Sequence, residues 1–389
     1  MFCPECAPTH QVSHVRSRID SALTHIVERT VIRIVPRTIE RLVQRIIIGN
    51  LLRVMRFLRI IREQPLTPDR HIHQRTRVVA AEAEKRGFRV TVLTIGKFTT
   101  NLFRMYTPER TYTFEGLPGL DPATTATNID NKEEARRLFT VLGAPTPKGK
   151  SFMRAKPALA YAATIGFPLV VKPQHGSLSA HTTVNIQTEE ELLRAIVTAQ
   201  HVSRGFVVEE YIPGSLFRAT TVGPRLIACG RRDPPFMIGD GVQTVEALFQ
   251  SRDVERRALL VALGYTPKTI PALPQSHMRV DPTTVLAKGE RVAVTWKINL
   301  SYGATVTDVT DEVHPDNRVL FERIAASIDL PCLGIDFIAP SIAVSWKEQR
   351  CAFIELNSLP SIDLHHAPII QGTPRNVAGA LLDYVVPSF

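Results

Sequence analysis

Gly334-Ile335-Asp336-Phe337-Ile338 and the later Phe353-Ile354-Glu355-Leu356-Asn357 are short apolar runs bounded by polar turn residues, the pattern of two neighbouring buried strands. Each carries one carboxylate that packing does not explain, because a buried charge is costly unless something positive meets it. Side chains at i and i+2 of a strand share a face, so Glu355 and Asn357 project together and Asp336 meets them from the adjoining strand. Two carboxylates and an amide oxygen form a hard, all-oxygen ligand set suited to Mg²⁺, which keeps waters and shares its other positions with nucleotide phosphates. A buried acid satisfied by a lysine or by backbone amides is the alternative, and it explains any one of these residues better than it explains the set.

At 389 residues the chain is long enough for two or three domains with cores that need neither disulfides nor structural metals. Its apolar fraction of 44% is that of a soluble globular protein, and five cysteines, an odd number in a large chain, point to a reducing compartment. No apolar run approaches the length of a membrane span, and arginines and prolines break the N-terminal stretch too often for a secretory signal. The expected location is the cytoplasm. The net charge of +10 is unevenly spread. Before Gln64 there are eleven arginines and no lysine against five acids, so this stretch supplies +6 of it.

That extension reads as helical from Ser21 to Arg62, with Arg29, Arg33, Arg37, Arg41 and Arg45 at four-residue spacing beside Val31, Ile32, Ile34, Ile39, Leu42, Val43, Ile46 and Ile47. An arginine ridge beside an apolar face suits an anionic membrane surface or a partner subunit. Packing on the chain's own body or on a twin suits it at least as well. It lacks the interleaved aromatics of a nucleic-acid binder, so no nucleic-acid partner is expected. Cys3 and Cys6 with His10 and His14 have zinc-ligand residue types, but the gap from Cys6 to His10 is far shorter than a finger's loop. A frayed tip with incidental thiols is the better reading. Pro65 to Pro68 predicts a linker. Beyond it a helix over 73–87 and a strand over 89–94 predict a small α/β unit.

From Asn128 the signals strengthen. Asn131-Lys132-Glu133-Glu134-Ala135-Arg136-Arg137 opens a helix that stops at Gly143, and Gly166 to Pro173 is an apolar strand whose end carries Lys172, well placed to meet an anion. Gln174-His175-Gly176-Ser177-Leu178-Ser179 begins a turn able to offer N–H groups and hydroxyls to phosphates. Thr188 with Glu189, Glu190 and Glu191 caps a further helix, which leads to a strand over 205–214.

Together with Gly239-Asp240-Gly241, Asn299-Leu300-Ser301-Tyr302-Gly303, Asp308 to Pro315 and Gly372-Thr373-Pro374-Arg375, these ordered motifs resemble the ATP-grasp carboxylate–amine ligases. The closest likeness is to the ATP-grasp domain of cyanophycin synthetase and the similar domain of bifunctional glutathione synthetases. It covers roughly residues 128–389. The resemblance implies an α+β fold in which two subdomains clasp ATP, with a lid at about 145–208. A pre-ATP-grasp α/β unit over 65–127 and the helical extension over 1–64 would precede it.

Residue by residue, the resemblance implies that Glu209 binds the ribose hydroxyls and that Glu210, Tyr211 and Ile212 meet the adenine edge. Lys132, Arg136, Lys172, Gly176 and Ser177 would meet the phosphates. Arg218 and Arg232 would stand near the transferred phosphate, Asn299 and Ser301 would face the reacting groups, and His365 and Gly303 would help position substrate. For His365 a purely structural role fits as well. ATP and Mg²⁺, two ions with Mn²⁺ as an alternative, would serve a reaction that phosphorylates a carboxylate and lets an amine displace the phosphate. The partners implied are amino-acid or peptide substrates and a second copy of the chain in a homo-oligomer. The sequence departs from the family at Ser179-Ala180-His181, where glycine and arginine are common, at Leu216 in place of an acid, and at Thr295-Trp296-Lys297. The Mur-ligase-like domain of cyanophycin synthetase is also missing, so the full polymerising activity is not expected. A glycine-poor phosphate loop leaves a second reading, a nucleotide-binding module that docks through its basic arm without turnover.

Overall fold

A computed structural model describes His14 and residues 60–67, 70, 72–119, 128–174, 181–262, 278–298, 300, 303–367 and 371–386. The arginine ridge and the Cys3 and Cys6 tip lie outside them, as do Gly176, Ser177, Asn299 and Ser301. Three antiparallel sheets carry the architecture.

The first holds β1 (Ile61–Pro65), β2 (Arg89–Ile95), β3 (Phe98–Tyr106) and β4 (Thr111–Glu115) in that order, with α1 (Gln74–Lys85) inserted after β1. Thr76, Val79, Ala80 and Ala83 fall on one face of α1 and are buried. The helical pattern expected to reach Arg62 does not hold at Ile61 and Arg62, which pair with Ile95 and Thr94 as an edge strand. Pro65 is tolerated there, at the end of a strand with one free side.

α2 (Lys132–Val141) leads into the second sheet, which contains β5 (Gly149–Phe152), β6 (Leu169–Pro173), β7 (Thr183–Ile186) and β8 (Phe206–Glu210) in the order β5-β8-β6-β7. α3 (Ala155–Ile165) and α4 (Glu189–Gln200) pack with it, and Leu169, Val171, Phe206 and Val208 share a core with Ala158, Leu192 and Ile196. The start of α4 is fixed as the sequence predicts. Thr188 accepts from the Glu191 N–H at 3.2 Å, and the Glu191 carboxylate accepts from the Gln187 N–H at 2.7 Å.

β9 (Ser215–Val222), β10 (Arg225–Asp233), β13 (Thr305–Asp308), β14 (Cys332–Ala339) and β15 (Ala352–Asn357) make the largest sheet, ordered β13-β10-β9-β14-β15. Between β10 and β13 come β11 (Phe236–Ile238), α5 (Val245–Ala262) and β12 (Arg291–Ala293), which enclose a small core of Met237, Val245, Phe249, Leu286 and Val294. α6 (Pro315–Ala326), α7 (Asp363–His366) and α8 (Val377–Val385) complete the chain. The large sheet has two unlike faces. Phe217, Ile335, Phe337, Phe353 and Leu356 point into a core shared with Phe321 and with Phe103 and Phe114 of the first sheet. Phe337 and Phe353 lie 4.8 Å apart, and Phe321 meets both edge-on.

β14 and β15 are the two predicted strands, paired with Asp336 opposite Glu355 and Gly334 opposite Asn357. Phe337 pairs with Phe353, so Ile354 is an extra residue, a bulge that adjoins Glu355. No described helix is long and apolar enough to cross a membrane, and the described cysteines Cys229, Cys332 and Cys351 are buried free thiols.

Candidate active site

A cleft of about 400 Å³ opens between the second and third sheets. Its apolar walls are Val170 from one sheet and Leu216, Ile338 and Ile354 from the other, and its polar lining includes Lys132, Lys172, Glu209, Arg232 and Glu355. Residues predicted from separate motifs thus converge on one space.

At the end of β8, Glu209 is 6% exposed and accepts from Lys172 at 2.6 Å and from Arg136 at 3.4 Å. Arg136 also donates to the Gly149 carbonyl at 2.8 Å, so it backs Glu209 and is not among the cleft-lining residues described. The Glu210 N–H donates to the Lys148 carbonyl at 2.9 Å and the Tyr211 N–H to the Pro168 carbonyl at 3.0 Å. Those two amides are committed to the second sheet. Tyr211 also approaches the Trp296 ring edge-on at 6.3 Å, and the Arg279 guanidinium stacks 3.9 Å from the centre of that ring. Both Trp296 and Arg279 line the cleft. Neither was assigned a role from the sequence, where Trp296 registered only as a departure and Arg279 stood in no motif. The neighbouring Lys297 is buried and donates to the Thr182 carbonyl at 2.5 Å, tying this wall to the start of β7.

The charged groups of the large sheet fall into two classes. Arg218 and Asp336 are cross-strand partners on β9 and β14, and they form a bidentate pair with one Nη2–Oδ2 distance of 2.7 Å. Burial acts to raise the Asp336 pKa, but the Arg218 guanidinium outweighs it and holds the carboxyl below its ordinary range. Arg232 on β10 and Glu355 on β15 line the cleft, and neither has a hydrogen bond or ion pair among the described residues. Burial, helped by the like charge of Arg218, pushes Arg232 down to about 10. Burial also lowers the pKa of Lys132, with Glu355 acting in the opposite sense.

Of the three proposed metal ligands, Glu355 alone is a described lining residue of the cleft. Asp336 faces Arg218, and among the described residues no group of three or more His, Cys, Asp or Glu side chains is placed to hold a metal. The residues nevertheless fit a hard cation. A carboxylate has about four acceptor positions, and the Arg218 fork uses one on each Asp336 oxygen. Among the described residues the Asn357 amide nitrogen is buried with no hydrogen-bond partner, and a flip would present the amide oxygen in its place. Ser358 beyond it is anchored to Asp130 through its N–H at 2.9 Å and its hydroxyl at 2.6 Å, which fixes the end of β15.

Other predicted site residues lie elsewhere. His365 is 4% exposed, its Nε2 sits 2.8 Å from the Thr220 hydroxyl, and burial followed by repulsion from Arg232 and Arg218 drives its pKa down to about 3. Burial and the neighbouring arginines thus keep the ring neutral. Gly303 lines a separate cavity. The Asp308 to Pro315 motif is a brace, in which Arg375 donates to Asp308 and Asp311 at 2.7 Å each and His314 caps α6 by accepting from the Asp316 N–H at 3.2 Å. Gly372 presses on it with φ +125°, where a Cβ would lie 2.5 Å from the Asp308 Cβ.

No protein-family model matches the chain. The cyanophycin synthetase of a Nostoc species is 31% identical over 280 residues, 66% of this chain and 29% of that protein. The glutathione biosynthesis bifunctional protein GshAB of Desulfotalea psychrophila is 26% identical over 284 residues, covering 68% and 35%. This chain therefore spans only about a third of the length of these curated relatives. Among solved structures, the bifunctional glutathione synthetase from Pasteurella multocida superposes with a TM-score of 0.53 at 18% identity, over 82% of this chain and 45% of that one. With the two sheets enclosing the cleft and the ordered motifs along its walls, these relationships show the ATP-grasp fold and make the chain, over about two thirds of its length, a relative of the ATP-grasp carboxylate–amine ligases.

Proposed function

We propose that the protein is an ATP-dependent ligase that joins the carboxylate of an amino acid or peptide to an amine. The observation that carries this reading is the convergence of Lys132, Lys172, Glu209, Arg232 and Glu355 on one cleft. Val170, Ile338 and Ile354 offer apolar faces for adenine, and Glu209 offers acceptors for ribose hydroxyls once the nucleotide phosphates draw Lys172 away from it. Because the Glu210 and Tyr211 amides are already bonded, the Ile212 N–H is the hinge donor assigned to the adenine edge.

The chemistry needs no protein nucleophile. The γ-phosphoryl group passes from ATP to a carboxylate oxygen, forming one P–O bond as the bond to ADP breaks. The amine then attacks the carbonyl carbon, forming C–N and releasing phosphate with loss of an amine proton. Arg232, held in the cleft without a counter-ion fixed by the fold, supplies positive charge where these oxygens gather. Lys132 and Lys172 orient the phosphates, and the closeness of the two sheets excludes water from the acyl phosphate. Asp336, Glu355 and Asn357 would hold Mg²⁺, one or two ions with Mn²⁺ as a substitute, which offsets phosphate charge when bound.

The test is phosphate release from ATP across pooled amino acids and short peptides, with mass spectrometry of the products. A new amide mass that requires ATP is expected, and Glu355→Gln should lower turnover by about 10²–10³ with little change in thermal midpoint. Nucleotide binding without any turnover over a broad pool would defeat the ligase reading.

A further inference from the structure

A second cavity of about 360 Å³ lies against α5. Pro235 lines it while Asp233 and Pro234 line the nucleotide cleft, so one three-residue segment borders both spaces. Its apolar surface comes from Met237, Phe249 and Leu259, and its polar surface includes two arginines. Arg256 is bound to Asp253 at 2.6 Å. Arg252 differs, because its guanidinium has no hydrogen bond or ion pair among the described residues and is held only by stacking on Phe236 at 4.2 Å. Thr305, opposite Asp233 in the β10–β13 pair, also lines the cavity; it is 6% exposed, and its hydroxyl is buried without a hydrogen-bond partner among the described residues. A buried orphan hydroxyl is uncommon in a native fold, and here it borders the same space as an uncommitted guanidinium.

We propose that this cavity binds a carboxylate other than the one that is activated. Arg252 and the Thr305 hydroxyl would hold it, and the aliphatic part of the same molecule would lie on Met237, Phe249 and Leu259. Neither Arg232 nor Glu355 is a described lining residue here, so a carboxylate held in this cavity is separated from the phosphoryl-transfer groups. An amino acid or peptide serving as the amine has such a carboxylate, which must be kept from phosphorylation. Glu255 on the same wall disfavours a second anionic group and selects for a single carboxylate. The role in catalysis rests on the ligase reading above, whereas binding itself does not.

The full chain, free of nucleotide, is titrated with N-acetyl-L-leucine and with N-acetyl-L-leucinamide, followed by protein-observed NMR. The acid should bind about tenfold or more tightly than the amide, since only the acid makes a charge-assisted contact. Arg252→Gln should bring the acid down to the level of the amide, and Thr305→Val, which keeps the side-chain shape, should weaken the acid severalfold without lowering the thermal midpoint. Glu355→Gln should leave this discrimination intact, so a protein that fails the amide-forming assay yet distinguishes acid from amide loses the ligase reading and keeps the site. Equal binding of acid and amide, absence of binding, or discrimination that survives both Arg252→Gln and Thr305→Val would overturn the proposal.

Discussion

The central strands β9 and β14 and the strands that flank them, β10 and β15, carry the same kinds of charge on one sheet and use them differently. Arg218 and Asp336, on the inner pair, close on each other in a buried fork. Arg232 and Glu355, on strands that flank that pair, reach the cleft with no ion pair among the described residues. Arg218 and Asp336 are 7% and 4% exposed, and charges buried to that extent must be matched within the fold. A charge nearer the cleft keeps partial access to solvent and to whatever enters, so its counter-ion is left for a ligand to supply.

The largest expected effect comes from breaking the inner pair. Arg218→Met leaves Asp336 charged and buried, and should cost about 3–5 kcal/mol in chemical denaturation. Arg232→Met removes a cation that the fold does not match, and should change stability by less than about 1 kcal/mol. Equal losses for the two variants would erase the distinction between structural and reserved charge.

His365 sharpens it through pH. Its folded pKa of about 3 is below the ordinary 6.5, so the unfolded chain takes up a proton first as pH falls. The stability that depends on neutral His365 is complete above pH 6.5 and declines by roughly 1.4 kcal/mol per unit as pH drops from there toward 3. His365→Gln should flatten that part of the denaturation-midpoint profile, and an unchanged slope would show that the ring is not held neutral against Thr220. The smallest effect concerns Arg279, a cation held by a ring instead of a carboxylate. Trp296→Leu frees it and removes one wall of the cleft, and ATP affinity should fall by about three- to tenfold in a calorimetric titration, in line with roughly 0.5–1.5 kcal/mol for such a contact.

Much of this site was legible because its signals are local. Two apolar runs with one acid each predicted the pairing of β14 with β15, and the helix starts at Asn131 and Thr188 followed from capping residues whose side chains do accept the expected N–H groups. The parts that the sequence did not show depend on contacts between distant segments. Nothing local marks Arg218 as the partner of a residue 118 positions away, or Arg136 as the support of Glu209. The hinge amides of Glu210 and Tyr211 looked open to adenine because Lys148 and Pro168, which occupy them, are brought there by the packing of the second sheet. Ile61 read as the tail of an apolar helix because its partner, Ile95, lies beyond an intervening helix. The domain limits drawn from the sequence rest on the family pattern, and the arginine arm falls outside the described residues.

The bulge at Ile354 makes the sheet a counting problem. In an unbroken strand Phe353 and Glu355, being two apart, would share a side, and one of them would be on the wrong one. The single supernumerary residue changes odd to even, so that Phe353 stacks on Phe337 while Glu355 stands opposite Asp336. Straightening β15 with Ile354 still in line would force a choice between an acid in the aromatic core and a phenylalanine in the cleft, whereas deleting Ile354 would make Phe353 and Glu355 neighbours and leave each on its own side. The inside and the outside of this protein are thus separated, at its most consequential point, by the parity of one strand.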